Sequence, residues 1–360
     1  MASVIDERRA DASGLAWRTK ELCCEQSGKG LACRDRVPAV GPRRETFLPR
    51  VATALAILVL APAIAFAAPQ ELRLVVAGPD DSAAHRLAEI RADPLAEVLG
   101  RTVTIQDVPG EGGIAAAKAV VEAAPDGGTL LIADNLLLAV HEAAGAWPLD
   151  LDALRPMAKL TLGISIALVA PTGSEITSWQ ALADRAERDG LRLSMPSSRV
   201  AHDVARAMIE RATGVVFEVA EAADDQASVA DVASGRADVG LVTTNGLEAQ
   251  DAAAGVGLQP IVTFGARRSP LYPDTPTFAE VTGDDKNDFT YSFALFGPPE
   301  LDEDLTRTLA EATQTACARP AALSAAGAAG LPLACRAGEV VEQTLERDLQ
   351  VARRAYPDAQ

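Results

Sequence analysis

Beyond residue 70 the chain alternates strand, turn and helix, and that alternation limits its fold more than any other feature. Leu72–Ala77 (LRLVVA) is an apolar run meeting the turn Gly78-Pro79-Asp80-Asp81-Ser82, with an amphipathic helix predicted from about Ala83 to Leu99. Thr102–Asp107 (TVTIQD) reads as a second strand, followed by Pro109-Gly110-Glu111-Gly112-Gly113 and an alanine-rich helix to Ala124. Pro125-Asp126-Gly127-Gly128 then turns into a third strand, Thr129–Ala133. Short strand-to-helix connections of this kind imply parallel strands covered by helices. In such a sheet ligands lie beyond the carboxyl ends of the strands.

A second series starts after Ala170-Pro171. Helices are expected at Trp179–Arg188, Val200–Thr213 and Ala227–Ser234, interleaved with strands at Leu191–Met195, Val215–Val219 and Val239–Val242. Leu247–Ala253, the strand Gln259–Phe264 and the proline-rich connection Pro270–Pro276 follow, and then the strand Tyr291–Phe296 and the helices Leu301–Ala316 and Gly338–Ala355. Two lobes account for this order: residues 68–170 with 291–360, and 171–290. The crossings fall near Ala170–Pro171 and near Tyr291.

Ahead of the lobes, Val51–Ala67 is an uncharged apolar run preceded by Arg43, Arg44 and Arg50 and ending Ala65-Phe66-Ala67. Those are the parts of a secretory signal cleaved near Ala67/Ala68, so residues 1–67 are expected to be leader and signal peptide and the remainder periplasmic. The other reading, a membrane anchor, needs ~20 apolar residues, and this shorter run contains Pro62. An exported protein has no supply of ATP or NAD(P)H, which favours capture over cofactor chemistry. The formal net charge of −17 argues against nucleic acid as a partner. It leaves room for a small anion, which responds to local donors and helix ends. Cys317 and Cys335 form a candidate disulfide closing a loop of roughly 17 residues, with two buried thiols as the alternative. His85, His141 and His202 are scattered, and no metal-ligand spacing is present, so neither metal nor cofactor is expected.

The ordered motifs resemble the receptors of tripartite tricarboxylate transporters, the TctC or Bug family. Val108-Pro109-Gly110-Glu111-Gly112-Gly113-Ile114 stands where that family has Arg-Pro-Gly-Ala-Gly-Gly-Asn, and Pro125-Asp126-Gly127-Gly128-Thr129-Leu130 where it has Pro-Asp-Gly-Tyr-Thr-Leu. Ser197, Ser198 and His202, Gly235-Arg236-Ala237-Asp238-Val239, Arg268-Ser269-Pro270, Pro273–Thr277 and Phe296-Gly297-Pro298-Pro299 match further motifs in order. The resemblance implies an α/β fold, a two-lobe periplasmic binding protein (type II-like), each lobe a mainly parallel sheet covered by helices. It also implies a non-enzymatic receptor that captures a small organic acid or related metabolite and hands it to membrane permease subunits. The first loop departs from the family: Ala77, Gly78, Asp81, Ser82 and His85 replace Pro-Phe-x-x-Gly-Gly-x-x-Asp, and Ile114 replaces an asparagine.

Candidate ligand-binding residues follow from placement at strand ends. Gly110, Gly112 and Gly113 allow positive φ, so their amides are expected to face a carboxylate; a plain tight turn is the alternative. Ser82 is placed to cap the first helix or to donate to a ligand, and His85 to donate from that helix. Asn135 in the first lobe, and Ser197, Ser198, His202, Thr244 and Asn245 in the second, complete the set, with Thr243 beside them. Two other functions fit the residues: a sensor subunit of the same fold, and an exported hydrolase using Ser197 and His202. The hydrolase lacks a Gly-x-Ser-x-Gly elbow.

Overall fold

The computed structural model describes residues 71–145, 153–196, 200–254 and 257–357; the expected leader and signal segment, and Ser197 and Ser198, lie outside them. The described residues belong to one compact unit, Ile64–Gln360.

Strand β1 (Glu71–Val76) runs parallel to β2 (Thr102–Asp107) and to β3 (Thr129–Asp134). Between them lie helix α1 (Ala83–Leu99) and helix α2 (Ile114–Val121). Ser82 Oγ caps α1 by accepting the His85 N–H at 3.1 Å, and Gly100, at φ 64°, ends it in the left-handed conformation that closes many helices. Leu87, Ala88 and Leu95 form the buried stripe of α1, and Arg91 lies in the same stripe.

After helix α3 (Asn135–Ala143), strand β4 (Arg155–Thr161) leads directly into β5 (Ile166–Pro171), which belongs to a second sheet. The first crossing is therefore at Leu162–Ser165, ahead of the expected Ala170–Pro171. Helix α4 (Trp179–Asp189), strand β6 (Leu191–Pro196), helix α5 (Val200–Thr213), strand β7 (Phe217–Ala222), helix α6 (Asp225–Ala233), strand β8 (Val239–Thr243), helix α7 (Thr244–Ala254) and strand β9 (Leu258–Thr263) complete that lobe, in sheet order β7-β6-β8-β5-β9. A short helix, α8 (Phe278–Thr282), precedes the return through β10 (Phe293–Gly297), which lies antiparallel between β3 and β4. Helices α9 (Glu303–Cys317) and α10 (Pro320–Ala328), strand β11 (Leu333–Ala337) and helix α11 (Gly338–Ala355) finish the first lobe, ordered β11-β4-β10-β3-β1-β2.

Both sheets are thus mixed, where mainly parallel ones were expected. Parallel pairing requires a crossover helix between strands, and the strands β5 and β10 arrive from the other lobe without one. The two crossings are tied together: Ile164 N–H donates to Tyr291 O at 2.8 Å and Tyr291 N–H to Ile164 O at 3.2 Å. Cys317 and Cys335 form a disulfide between the end of α9 and β11, with Cα atoms 6.2 Å apart, inside the range such a bridge spans. The Arg91 guanidinium lies against both sulfurs and donates to Thr313 O at 3.1 Å. Burial lowers its pKa to about 10.

Candidate functional site

A cleft of about 510 Å³ opens where the carboxyl ends of the parallel strands in both lobes meet helix starts. The β1–α1 connection contributes Ala77, Pro79, Asp81, Ser82, Ala83, Ala84 and Arg86; the start of α3 contributes Asp134 and Leu137. From the second lobe come Val200, Ala201 and His202 of α5, and Ala223 and Asp224 before α6, while Tyr291 and Phe293 border the cleft from the return crossing. Four helices therefore begin at this cavity, and three of them, α1, α3 and α6, carry side-chain caps there: Ser82, Asp134 and Asp224.

Of the residues expected from sequence, the structure brings Ser82 and His202 to the cleft wall. Ser82 serves as helix cap and wall together: its oxygen accepts the His85 amide, which leaves its hydroxyl hydrogen to donate. His202 is fully buried, neither ring nitrogen has a hydrogen-bond partner among the described residues, and Nε2 lies 3.5 Å from Asp225 Oδ1.

The other described candidates take other positions. His85 turns to the end of β2, with Nδ1 2.8 Å from Asp107 Oδ1 and Nε2 3.5 Å from Glu89 Oε1, and the bond to Asp107 raises its pKa. Gly110, Gly112 and Gly113 have the positive φ expected (114°, 59° and 88°), yet none is among the residues lining the cleft. The Gly113 N–H donates to Gly110 O at 3.0 Å, and Gly112 O lies 2.9 Å from His141 Nε2. A Cβ on Gly113 would come within 2.6 Å of Leu137 Cδ2 and 3.3 Å of Ala77 Cβ, both wall residues. The glycine loop therefore supports the wall from behind, where the sequence reading had its amides on the ligand. Asn135 is fully buried against the return crossing, its amide donating to Ser292 O at 3.0 Å and Nδ2 to Ser292 Oγ at 3.5 Å. Thr243 Oγ1 donates to Asp225 Oδ2 at 2.6 Å, the Thr244 amide donates to Ser165 O at 3.0 Å, and Asn245 Nδ2 reaches across to Gly330 O of the first lobe at 3.0 Å.

Sequence reasoning missed Asp134, Asp224 and Arg86. Asp134 Oδ1 caps α3 by accepting the Leu136 N–H at 2.9 Å, and Asp224 Oδ1 caps α6 through the Ala227 N–H at 2.8 Å. An aspartate between an apolar strand and a helix is a cap signal, and it was available in both places. Burial raises the Asp134 carboxyl to about 7; the backbone amide of Leu136 pulls it down, and the negative charge of Asp348 adds to the rise. Asp348 is itself fully buried and raised to about 7, chiefly by burial, with Arg347 and Lys159 opposing. Arg86 is a cation of the wall, with Nη1 donating to Asp81 O at 3.0 Å. Among the described residues no group of three or more His, Cys, Asp or Glu is arranged to hold a metal ion.

Residues 87–334 match the family described as tripartite tricarboxylate transporter family receptor. A UPF0065 protein of Bordetella bronchiseptica is 26% identical over 212 residues, which is 58% of this chain and 62% of the relative, under two thirds of its length. Among solved structures, a TctC solute-binding protein from Polaromonas superposes with a TM-score of 0.68 at 16% identity, over 80% of this chain and 98% of that one. MatC from Rhodopseudomonas palustris, with bound malate, gives 0.63 at 21% identity over 78% and 98%.

Proposed function

Since the chain belongs to the tripartite tricarboxylate transporter receptor family, we propose that it is a solute-binding receptor. It captures a small organic acid or related metabolite in the periplasm and presents it to membrane permease subunits. The observation that carries this reading is the cleft itself: walls from both lobes, four helix starts, and a volume suited to a small molecule. No covalent step belongs to it. Capture consists of hydrogen bonding and charge pairing, with the lobes closing about the two crossings. The malate held by MatC agrees with a carboxylate as one of the recognised groups. Among the described residues no helix is long and apolar enough to cross a membrane, in keeping with a receptor that meets its permease from outside.

Calorimetric titration and thermal shift of the purified protein against carboxylates, amino acids and aromatic acids test the proposal. A true solute at 100 times its Kd stabilises the protein by about 2.7 kcal/mol. Ser82→Ala and His202→Ala should each weaken that solute about tenfold, the usual scale for a hydrogen bond to a charged group. A flat response to the whole panel would refute the receptor reading.

A further inference from the structure

We propose that the cleft takes a small solute carrying a protonated amine as well as a carboxylate, with Asp134 and Asp224 receiving the amine and Ser82, Arg86 and His202 the carboxylate. The inference rests on the receptor reading and narrows it to a class of solute.

Among the described residues of the wall, negative side chains outnumber positive ones: Asp81, Asp134 and Asp224 stand against Arg86. Two of them occupy the places where a helix start would otherwise receive an anion. Asp134 and Asp224 each spend one oxygen on the first turn of their own helix, α3 and α6, so the positive ends of those helices are already met. The second oxygen of each carboxylate still accepts hydrogen bonds. An ammonium group entering here finds two acceptors, one from each lobe, whereas a second carboxylate on the solute finds like charge in a confined space.

The other pole has an observation of its own. His202 is completely buried and borders the cleft; among the described residues neither ring nitrogen has a hydrogen-bond partner, the nearest charge being the Asp225 carboxylate, whose Oδ1 is 3.5 Å from Nε2. Leaving a buried imidazole in that condition is unfavourable, and a bound carboxylate relieves it. The free hydroxyl hydrogen of Ser82 and the charge of Arg86 add donors to the same wall.

The surroundings of Asp134 make the amine pole sensitive to pH. Asp348 approaches it from α11 and is flanked by Arg347 of the same helix, Lys159 of β4 and Asp288; among the described residues Asp81, Arg86, His202, Asp224 and Tyr291 are the other titratable groups of the wall. With its carboxyl near 7, Asp134 gains charge as pH rises through neutrality. Binding of an ammonium is thereby strengthened and binding of a second carboxylate weakened.

Matched probes isolate the effect: succinate against 4-aminobutanoate, and adipate against 6-aminohexanoate, titrated calorimetrically into the purified protein at pH 6 and pH 8. Any change at His202 acts on the carboxylate the paired probes share, so the affinity ratio reports the amine pole. At pH 8 the amino acid of at least one pair should bind about tenfold tighter than its dicarboxylate, with a smaller ratio at pH 6. Asp134→Asn should remove most of that advantage together with its pH dependence; Asp224→Asn should reduce the advantage and keep the pH trend. The wild-type pH comparison stands even if a variant fails to fold. Dicarboxylates binding as well as their partners at pH 8 would overturn the inference, and so would a ratio indifferent to pH. Silence from both pairs, with a response elsewhere in the wider panel, overturns this inference alone; silence from the entire panel overturns the receptor reading with it.

Discussion

Replacing Cys317 and Cys335 together by serine should lower the stability of the protein by about 3 kcal/mol. The bridge closes a sequence separation of 18 residues, and the loop-closure entropy removed from the unfolded chain for that length is about 3 kcal/mol at 25 °C. The structure limits what else changes. Arg91 Nη1 lies 3.5 and 3.4 Å from the two sulfurs while its Nη2 holds Thr313 O, so serine, which keeps an acceptor beside the buried guanidinium, is the right replacement and alanine is not. For cooperative unfolding of a unit of roughly 300 residues at about 2.1 cal/mol/K per residue, 3 kcal/mol lowers Tm by about 5 °C. Differential scanning calorimetry of the oxidised protein and the double variant measures the difference directly. Reductant added to the wild type should reproduce the shift and leave the variant unmoved. A double variant melting within about a degree of wild type would refute the reasoning, because the cross-link would then not restrict the unfolded chain.

Two further effects follow from residues near the cleft. The Asp107 carboxylate raises the His85 pKa above the ordinary imidazole value of 6.5, so the pair's stabilisation is complete below that value and fades as pH climbs through the raised one. His85→Gln should therefore melt below wild type at pH 6 and converge with it at alkaline pH; a gap independent of pH over a series of melts counts against the pairing. Gly113→Ala should cost ~1–2 kcal/mol from its left-handed backbone alone, and its Cβ, 2.6 Å from Leu137 Cδ2, pushes a wall residue towards the cavity. Gly110→Ala bears a similar backbone cost with open space around it, so denaturant titration should find both variants destabilised, while solute affinity falls further for Gly113→Ala; equal loss of affinity would contradict the wall-support role.

Strands and helices were legible where a turn separates them. They were obscured where an element carries the wrong chemistry or lacks punctuation. Strand β4, RPMAKLT, holds two cations and a proline, because it lies between β10 and β11 with Lys159 reaching Thr344 Oγ1 at 3.3 Å. Helix α3 merges with β3 into one apolar stretch, TLLIADNLLLAV, in which Asp134-Asn135 is the sole interior break. Reading that break as the end of a strand directed attention to its second residue, Asn135, which faces Ser292 and the interior. The same limit applies to the glycine loop and to Asn245. Conformational freedom and strand-end position can be read from residue types, but the side of the first helical turn that faces the cavity is decided by packing with elements distant in sequence, such as Leu137 and Gly330. Ser82 was the easier residue to place, because its role as a cap fixes its direction irrespective of those partners.

The paired backbone bonds between Ile164 and Tyr291 join the two crossings into a short ribbon, and the Tyr291 side chain borders the cavity above it. Two such threads, pinned side by side, resist sliding of one half past the other and permit pivoting. A pivot at this ribbon would move Tyr291 little and would move Ser82 and Asp224, which line the cavity from opposite lobes, more. A solute settling beside Tyr291 would feel its surroundings change from one side to both, and a partner surface touching the outer rims could sense occupancy by the distance between the lobes.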